Sequence, residues 1–251
     1  MTHILKLTLF ATLLLGLCAC GQTQVSAEDD VPEQAPATRE VDPEVIADPS
    51  HEQMTRTAPD TFKALFHTSA GDFTVEVTRE WAPGGADRFY NLVDSGYYDG
   101  NRFFRIVPGF VAQWGLHGDP DVNKAWIESE HAQIEDDPIR QSNTRGMITF
   151  ANAGPDTRSA QVFINFSDNT PLDDPRRMRG SVFAPFGEVV GDGMDVVDAL
   201  FDEYPNLDGR RYRDPATAIS QGHLMEHGNA YLEEYFPNLD YIITATIVED
   251  E

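Results

Sequence analysis

The chain is poor in cysteine and poorer still in positive charge. Its 251 residues include two cysteines, Cys18 and Cys20, both near the N-terminus. That placement excludes a disulfide framework, a cysteine zinc site and a cysteine nucleophile from everything that follows. Lysine occurs only as Lys6, Lys63 and Lys124. Lysine and arginine together number 18 against 42 aspartates and glutamates, a formal net charge of −24. Such a field repels phosphate backbones and argues against nucleic acid as a partner. It reads as a solvated acidic surface. Several catalytic signatures are also missing: G-x-S-x-G, the P-loop, and a strand-to-helix G-x-G-x-x-G. No internal repeat is present.

One metal pattern occurs formally. His223-Leu224-Met225-Glu226-His227 matches H-x-x-E-H, which needs both histidines on one helical face. Gly222 and Gly228 bracket it closely, and glycine is a poor helix former. The expectation is therefore a polar loop, with no metal and no cofactor.

What is present divides the chain into three parts. Lys6 precedes an almost unbroken apolar run from Leu7 to Ala19. The run falls short of the ~20 residues that span a bilayer, but it suits a signal-peptide core. Leu17-Cys18-Ala19-Cys20-Gly21 resembles a bacterial lipobox, which implies a signal peptide over 1–19 and lipidation of Cys20. Residues 20–60 carry Glu28-Asp29-Asp30 and prolines that include Pro32, Pro36, Pro43 and Pro49, but few large apolar side chains. They read as an acidic, Pro-rich flexible linker, in which a short helix would not alter the function. Residues 61–251 form the folded domain. The chain as a whole is 41% hydrophobic and 10% aromatic, enough for a sizeable core.

Within the domain, Thr61 to Thr68 and the alternating Phe73-Thr74-Val75-Glu76-Val77 flank the turn Ser69-Ala70-Gly71-Asp72, as in a hairpin. Ala86, Phe89, Leu92 and Val93 share a helical face that ends at Gly96, and Met194, Val197, Leu200 and Phe201 fit a second helix. Strand-like runs cover Arg102–Val107, Phe110–Gln113, Gly146–Ala151, Val162–Phe166, Phe183–Val189 and Tyr241–Val248. The expected fold is mainly β: a closed eight-stranded antiparallel barrel capped by two α-helices.

The chemistry concentrates in a few blocks. Phe103 to Gln113 puts a cation, an amide and apolar groups on adjoining strand and turn positions. Phe110, Val111 and Phe163 suit an apolar pocket, with Arg105, Gln113 and Gln161 at its rim. A barrel core carrying a few surface amides would look much the same.

The blocks resemble the cyclophilin family of peptidyl-prolyl isomerases. The pattern F-x-R-x-x-P-G-F-x-x-Q runs from Phe103 to Gln113. It is followed by Phe150-Ala151-Asn152-Ala153-Gly154-Pro155, Ala160-Gln161-Val162-Phe163-Ile164 and Phe186-Gly187-Glu188-Val189, in the family's order. The resemblance implies an isomerase in which Arg105 is catalytic and Phe110, Val111, Phe163 and Leu172 hold the proline ring. It further implies that Gln113 orients the substrate carbonyl, Ala151, Asn152 and Ala153 pin the peptide, and Gln161 supports the groove. Phe183 would complete the aromatic wall, where relatives carry His or Tyr. Val111 replaces a common Met, and Pro171 falls where cyclosporin-sensitive members carry Trp. The loop from Asp174 to Ser181, with Arg176, Arg177 and Arg179, is longer than usual. Asn206 to Tyr235 is an insertion, expected to form a groove-side loop or a docking surface. The expected protein is a lipid-anchored, periplasm-facing monomer of the bacterial envelope, at the outer membrane. Its partners would be Pro-containing polypeptides. The competing expectation is a non-catalytic chaperone or scaffold that only binds such segments.

Overall fold

The computed structural model describes residues 40–204 and 216–248. The expected signal peptide, Cys20, the first half of the linker and the start of the insertion lie outside the described residues. The later part of the expected linker is packed. Helix α1 (Pro43–Ala47) is capped by Asp42, whose side chain accepts from the Glu44 N–H at 2.9 Å. Val45, Ile46, Met54 and Ala58 are buried in the main core. Trp126 Nε1 donates to the Ile46 carbonyl at 2.7 Å. Four apolar side chains among many acids and prolines suffice to dock this segment.

β1 (Thr61–Thr68) and β2 (Gly71–Thr78) form the expected hairpin, paired from Thr61↔Thr78 to Thr68↔Gly71. Alternation sends Phe62, Ala64 and Phe66 inward from β1, and Phe73, Val75 and Val77 from β2. Gly71 holds φ +127, and a Cβ there would lie 3.3 Å from Val196, so the turn requires glycine. Helix α2 (Pro83–Ser95) buries Ala86, Phe89, Leu92 and Val93 and ends at Gly96 with φ +83. The remaining elements are β3 (Arg105–Val107), β4 (Val111–Trp114), α3 (Pro120–Glu128), β5 (Met147–Phe150), β6 (Val162–Asn165), β7 (Gly187–Val190), α4 (Gly193–Asp198), α5 (Gln221–His227), α6 (Asn229–Tyr235) and β8 (Ile242–Val248).

The eight strands make one antiparallel sheet in the order β3-β4-β6-β5-β7-β2-β1-β8. The expected closure does not occur: the sheet rolls into an open half-barrel. Its end strands, β3 and β8, share no ladder. They meet through one isolated bridge, Arg102↔Tyr241, and loop hydrogen bonds such as Phe103 N–H to the Asp240 carbonyl at 3.0 Å. The reason lies in Phe103-Phe104. Phe103 enters the main core, whereas Phe104 enters a second cluster with Leu116, Leu224 and Leu232. The chain turns there and delays β3 until Arg105.

Two further expectations are corrected. The described residues hold six α-helices rather than two, and α4 stops at Asp198, before Leu200 and Phe201. The strand expected over Phe183–Val189 begins only at Gly187. Pro185 has no N–H to give a ladder, and the Val182 and Phe183 carbonyls accept from the Asn152 and Asn143 side chains instead. No helix among the described residues is long and apolar enough to cross a membrane.

Candidate active site

The outer face of β3, β4 and β6 is where sheet register becomes a site. All four residues of β4, and all four of β6, are buried. Alternation still separates two destinations. Ala112, Trp114, Val162 and Ile164 face the main core, while Val111 and Phe163 face a separate apolar cluster with Leu172. Pairing sets Arg105 opposite Gln113, and Gln113 opposite Phe163. A cation, an amide and an aromatic ring therefore stand in one row across three strands.

The row lines a groove of about 510 Å³. Every residue expected at the site borders it: Arg105, Phe110, Val111, Gln113, Ala151, Asn152, Ala153, Gln161, Phe163, Leu172 and Phe183. Val111, Phe163 and Leu172 form a buried floor, with Phe110, Ala151, Met178 and Phe183 half-buried around it. The Phe163 and Phe183 rings lie 5.9 Å apart at 58°, so the aromatic wall is kept without a polar atom at Phe183.

A chain of side chains crosses the rim. Arg105 Nη1 donates to Gln113 Oε1 at 3.2 Å, and Gln113 Nε2 donates to Gln161 Oε1 at 2.9 Å. The Arg105 guanidinium carbon sits 5.7 Å from the Phe110 ring centroid. These contacts orient the guanidinium fork toward the groove, and Gln113, only 6% exposed, is itself fixed by packing.

The opposite wall is backbone. The Ala151 N–H donates to the Gln161 carbonyl at 2.9 Å, and the Ala153 N–H to Thr157 Oγ1 at 2.9 Å. Asn152 Nδ2 donates to the Val182 carbonyl at 2.9 Å, tying this wall to the loop before Phe183. An extended segment anchored at both ends can meet a peptide by strand-like pairing.

A buried amide network supports the floor. Asn169 Nδ2 donates to the Phe110 carbonyl and to Asn165 Oδ1, both at 2.8 Å. Asn143 Nδ2 donates to Asp173 Oδ1 and to the Phe183 carbonyl, also both at 2.8 Å. The network holds the chain on either side of Leu172. Sequence reasoning missed it, because isolated asparagines carry no local signal.

Thr157, Ser159, Met178 and Gln221 also line the groove and were not anticipated. Thr157 and Ser159 lie next to the Ala160–Ile164 block, a signal the sequence offered. Met178 comes from the loop between Asp174 and Ser181. Gln221 comes from the described part of the expected insertion, whose Leu224, Tyr231 and Leu232 are buried with Phe104 and Leu116. Only tertiary packing brings Gln221 to the groove.

Residues 63–219 match the family model for cyclophilin-type peptidyl-prolyl cis-trans isomerases. The chain is 35% identical over 145 residues to a peptidyl-prolyl cis-trans isomerase-like 3 of Rhizopus delemar, covering 55% of this chain and 81% of that protein. It is 36% identical over 137 residues to peptidyl-prolyl cis-trans isomerase A of Dickeya dadantii, covering 54% and 69%. The fold is similar to the crystal structure of a cyclophilin-type isomerase from Cryptosporidium parvum, with a TM-score of 0.51 at 18% identity over 76% of this chain and 99% of the other. A second structure of that protein, determined in the presence of the dipeptide Ala-Pro, matches with a TM-score of 0.50 at 18% identity, over 75% and 99% of the two chains. With the family model matched over most of the domain, the chain belongs to the cyclophilin-type peptidyl-prolyl cis-trans isomerases.

Proposed function

We propose that this isomerase acts on exposed X-Pro bonds of folding envelope or secreted proteins, with Arg105 stabilising the twisted amide. The observation that carries the reading is the Arg105–Gln113–Gln161 chain set against the Val111–Phe163–Leu172 floor. Rotation about a peptide bond faces a barrier of about 18–20 kcal/mol, because twisting removes the resonance of nitrogen with the carbonyl. Before proline the unaided exchange takes tens to hundreds of seconds. In the twisted state the nitrogen lone pair is no longer delocalised and becomes an acceptor. A donor aimed at it stabilises that state more than either planar state, and this difference is the catalysis.

Arg105 suits the role. Its cationic guanidinium offers several donors and is oriented before substrate arrives. The apolar floor would seat the pyrrolidine ring, Gln113 would orient the substrate carbonyl, and the Ala151–Ala153 backbone would hold the flanking chain. No nucleophile is required, because no covalent bond is made or broken. Exchange NMR on an X-Pro peptide tests the reading: wild-type protein should broaden or exchange the cis and trans signals at sub-stoichiometric amounts. A folded protein that binds the peptide without speeding exchange would replace the enzyme with the binding-module alternative.

The proposal extends to location. Cys20 would carry a lipid, with residues 1–19 removed, and hold the domain at the periplasmic side of a bacterial membrane. The sequence Leu17-Cys18-Ala19-Cys20 supports this. Gly21 in place of Asp favours the outer membrane, since Asp at that position accompanies inner-membrane retention in lipobox-bearing proteins. Fractionation checks it: Cys20→Ser should move the protein from the membrane to the soluble fraction. Unchanged membrane association would sink the lipid anchor.

A further inference from the structure

The H-x-x-E-H segment, expected as a loop, is a helix. α5 spans Gln221–His227. Ser220 caps it, its Oγ accepting from the His223 N–H at 3.4 Å. Gly222 sits in the first turn, and Gly228 lies outside, with φ +62 at the C-cap. Leu224 drives the helix: it is 1% exposed in the cluster with Phe104, Tyr231 and Leu232. Burial of that side chain outweighs the glycine cost of about 1 kcal/mol.

Helical geometry then does what a loop would not. His223, Glu226 and His227 occupy positions i, i+3 and i+4, so they share a face. One ligand-type atom from each lies within 4.8 Å of the others. The two imidazoles are nearly parallel, 16° apart in plane, with centroids 5.9 Å apart. Glu226 Oε2 is 3.8 Å from His227 Nε2. His223 is half-buried and packs on the Tyr231 ring at 5.4 Å. The helix beneath is clamped by its buried Leu224, so the three side chains are gathered before any ion arrives. The remaining distance to ligation, about 2.0–2.1 Å from metal to nitrogen, is within reach of side-chain rotation.

We infer that His223, Glu226 and His227 form a surface site for one borderline divalent cation of the Zn²⁺ type. Two imidazoles and one carboxylate match the ligand preference of such ions and not that of Ca²⁺ or Mg²⁺, which take mostly oxygen. Three protein ligands leave a further position open to water. The chain's net charge of −24 raises the local cation concentration. The site lies outside the isomerase chemistry, which uses none of these residues. It does share α5 with Gln221, which borders the groove. A bound ion therefore cross-links the helix that builds one edge of the substrate site.

Calorimetric titration of the chelator-stripped full chain with ZnCl₂ tests this. One saturable site per chain should appear, unaffected by excess Mg²⁺. His223→Ala and His227→Ala should each weaken it at least about tenfold. Glu226→Gln, at an exposed position that cannot unfold the helix, should weaken it by a smaller factor. His131→Ala, an exposed histidine elsewhere, should leave it unchanged. Circular dichroism checks that each variant keeps α5. Absence of a Zn²⁺ site, or a site that survives the His223→Ala, His227→Ala double substitution, would overturn the inference.

Discussion

Replacing Arg105 with alanine should lower isomerase turnover about a hundredfold, or about 2.7 kcal/mol of transition-state stabilisation, the usual effect of deleting one preorganised donor. The fold should survive. Arg105 is half-exposed at the rim, where it contacts Gln113 and the Phe110 ring. Losing such contacts costs little stability, about 0.5 kcal/mol or less. Peptide affinity should fall less than turnover, since the apolar floor remains. Arg105→Lys sharpens the test: it keeps the charge but loses the fork that reaches Gln113 Oε1 and the substrate together. Its turnover should lie between wild type and alanine, closer to alanine. Exchange NMR on wild type and both variants reads the result. Near-wild-type turnover in folded Arg105→Ala would remove Arg105 from the mechanism.

The largest expected effect on stability lies behind the groove, at Asp137. Helix α2 opens with Ala82-Pro83-Gly84-Gly85, and Ala82 has no side chain to cap it. Its free N–H groups are met from far along the chain. Asp137 Oδ1 accepts from Gly84 at 3.0 Å, and Oδ2 from Gly85 at 2.8 Å. Asp137 Oδ2 also accepts from Arg158 Nη1 at 2.9 Å, and Arg158 is 1% exposed. Arg158 Nη2 bonds the Glu135 carbonyl as well. Asp136 Oδ1 stands 3.5 Å from Arg158 Nε, and burial pushes the Asp136 carboxyl up. Asp137 is thus the closer and better-bonded counter-charge.

Asp137→Ala leaves a buried guanidinium short of charge and an uncapped helix. Breaking a buried pair from one side costs about 3–5 kcal/mol, a large share of the ~5–15 kcal/mol that holds a domain folded. Asp137→Asn keeps acceptor geometry for one glycine and should cost less. Urea unfolding followed by tryptophan fluorescence measures both. A loss below about 1 kcal/mol for alanine would mean that Asp136 takes over the pairing. Arg158 stands between Thr157 and Ser159, both on the groove wall. The alanine variant should therefore also raise KM, even where it remains folded.

These two residues differ in how they could be found. Arg105 was readable because its block from Phe103 to Gln113 resembles a cyclophilin pattern; spacing alone left a barrel core with surface amides equally open. The hairpin of β1 and β2 was readable from the residues themselves: its alternation is local, and one face of it is buried. Helix α2 was readable from Ala86, Phe89, Leu92 and Val93 and its glycine stop. Asp137 was not readable, since an aspartate 53 positions from the N–H it caps leaves no trace in local pattern. The same holds for Asn143 and Asn169 beneath the groove, and for Gln221 at its edge.

The sequence by itself determined the strand alternation of the β1–β2 hairpin, and its blocks that resemble the cyclophilin family marked Arg105, Phe110, Val111, Gln113 and Phe163, all of which border the groove. Period-two patterning is a property of the backbone, so it survives whatever the chain packs against. Tertiary structure decided what depended on partners distant in sequence. It left the sheet open, because Phe103 and Phe104 go to different cores. It docked residues 43–58, because Val45, Ile46 and Met54 found buried sites against the domain. It made α5 a helix in spite of Gly222, because burying Leu224 outweighs the glycine's propensity. Local propensity is worth about 1 kcal/mol or less per residue, and burial of one large apolar side chain about twice that. Where the two disagree, the distant partner wins, and a sequence does not announce which partner that will be.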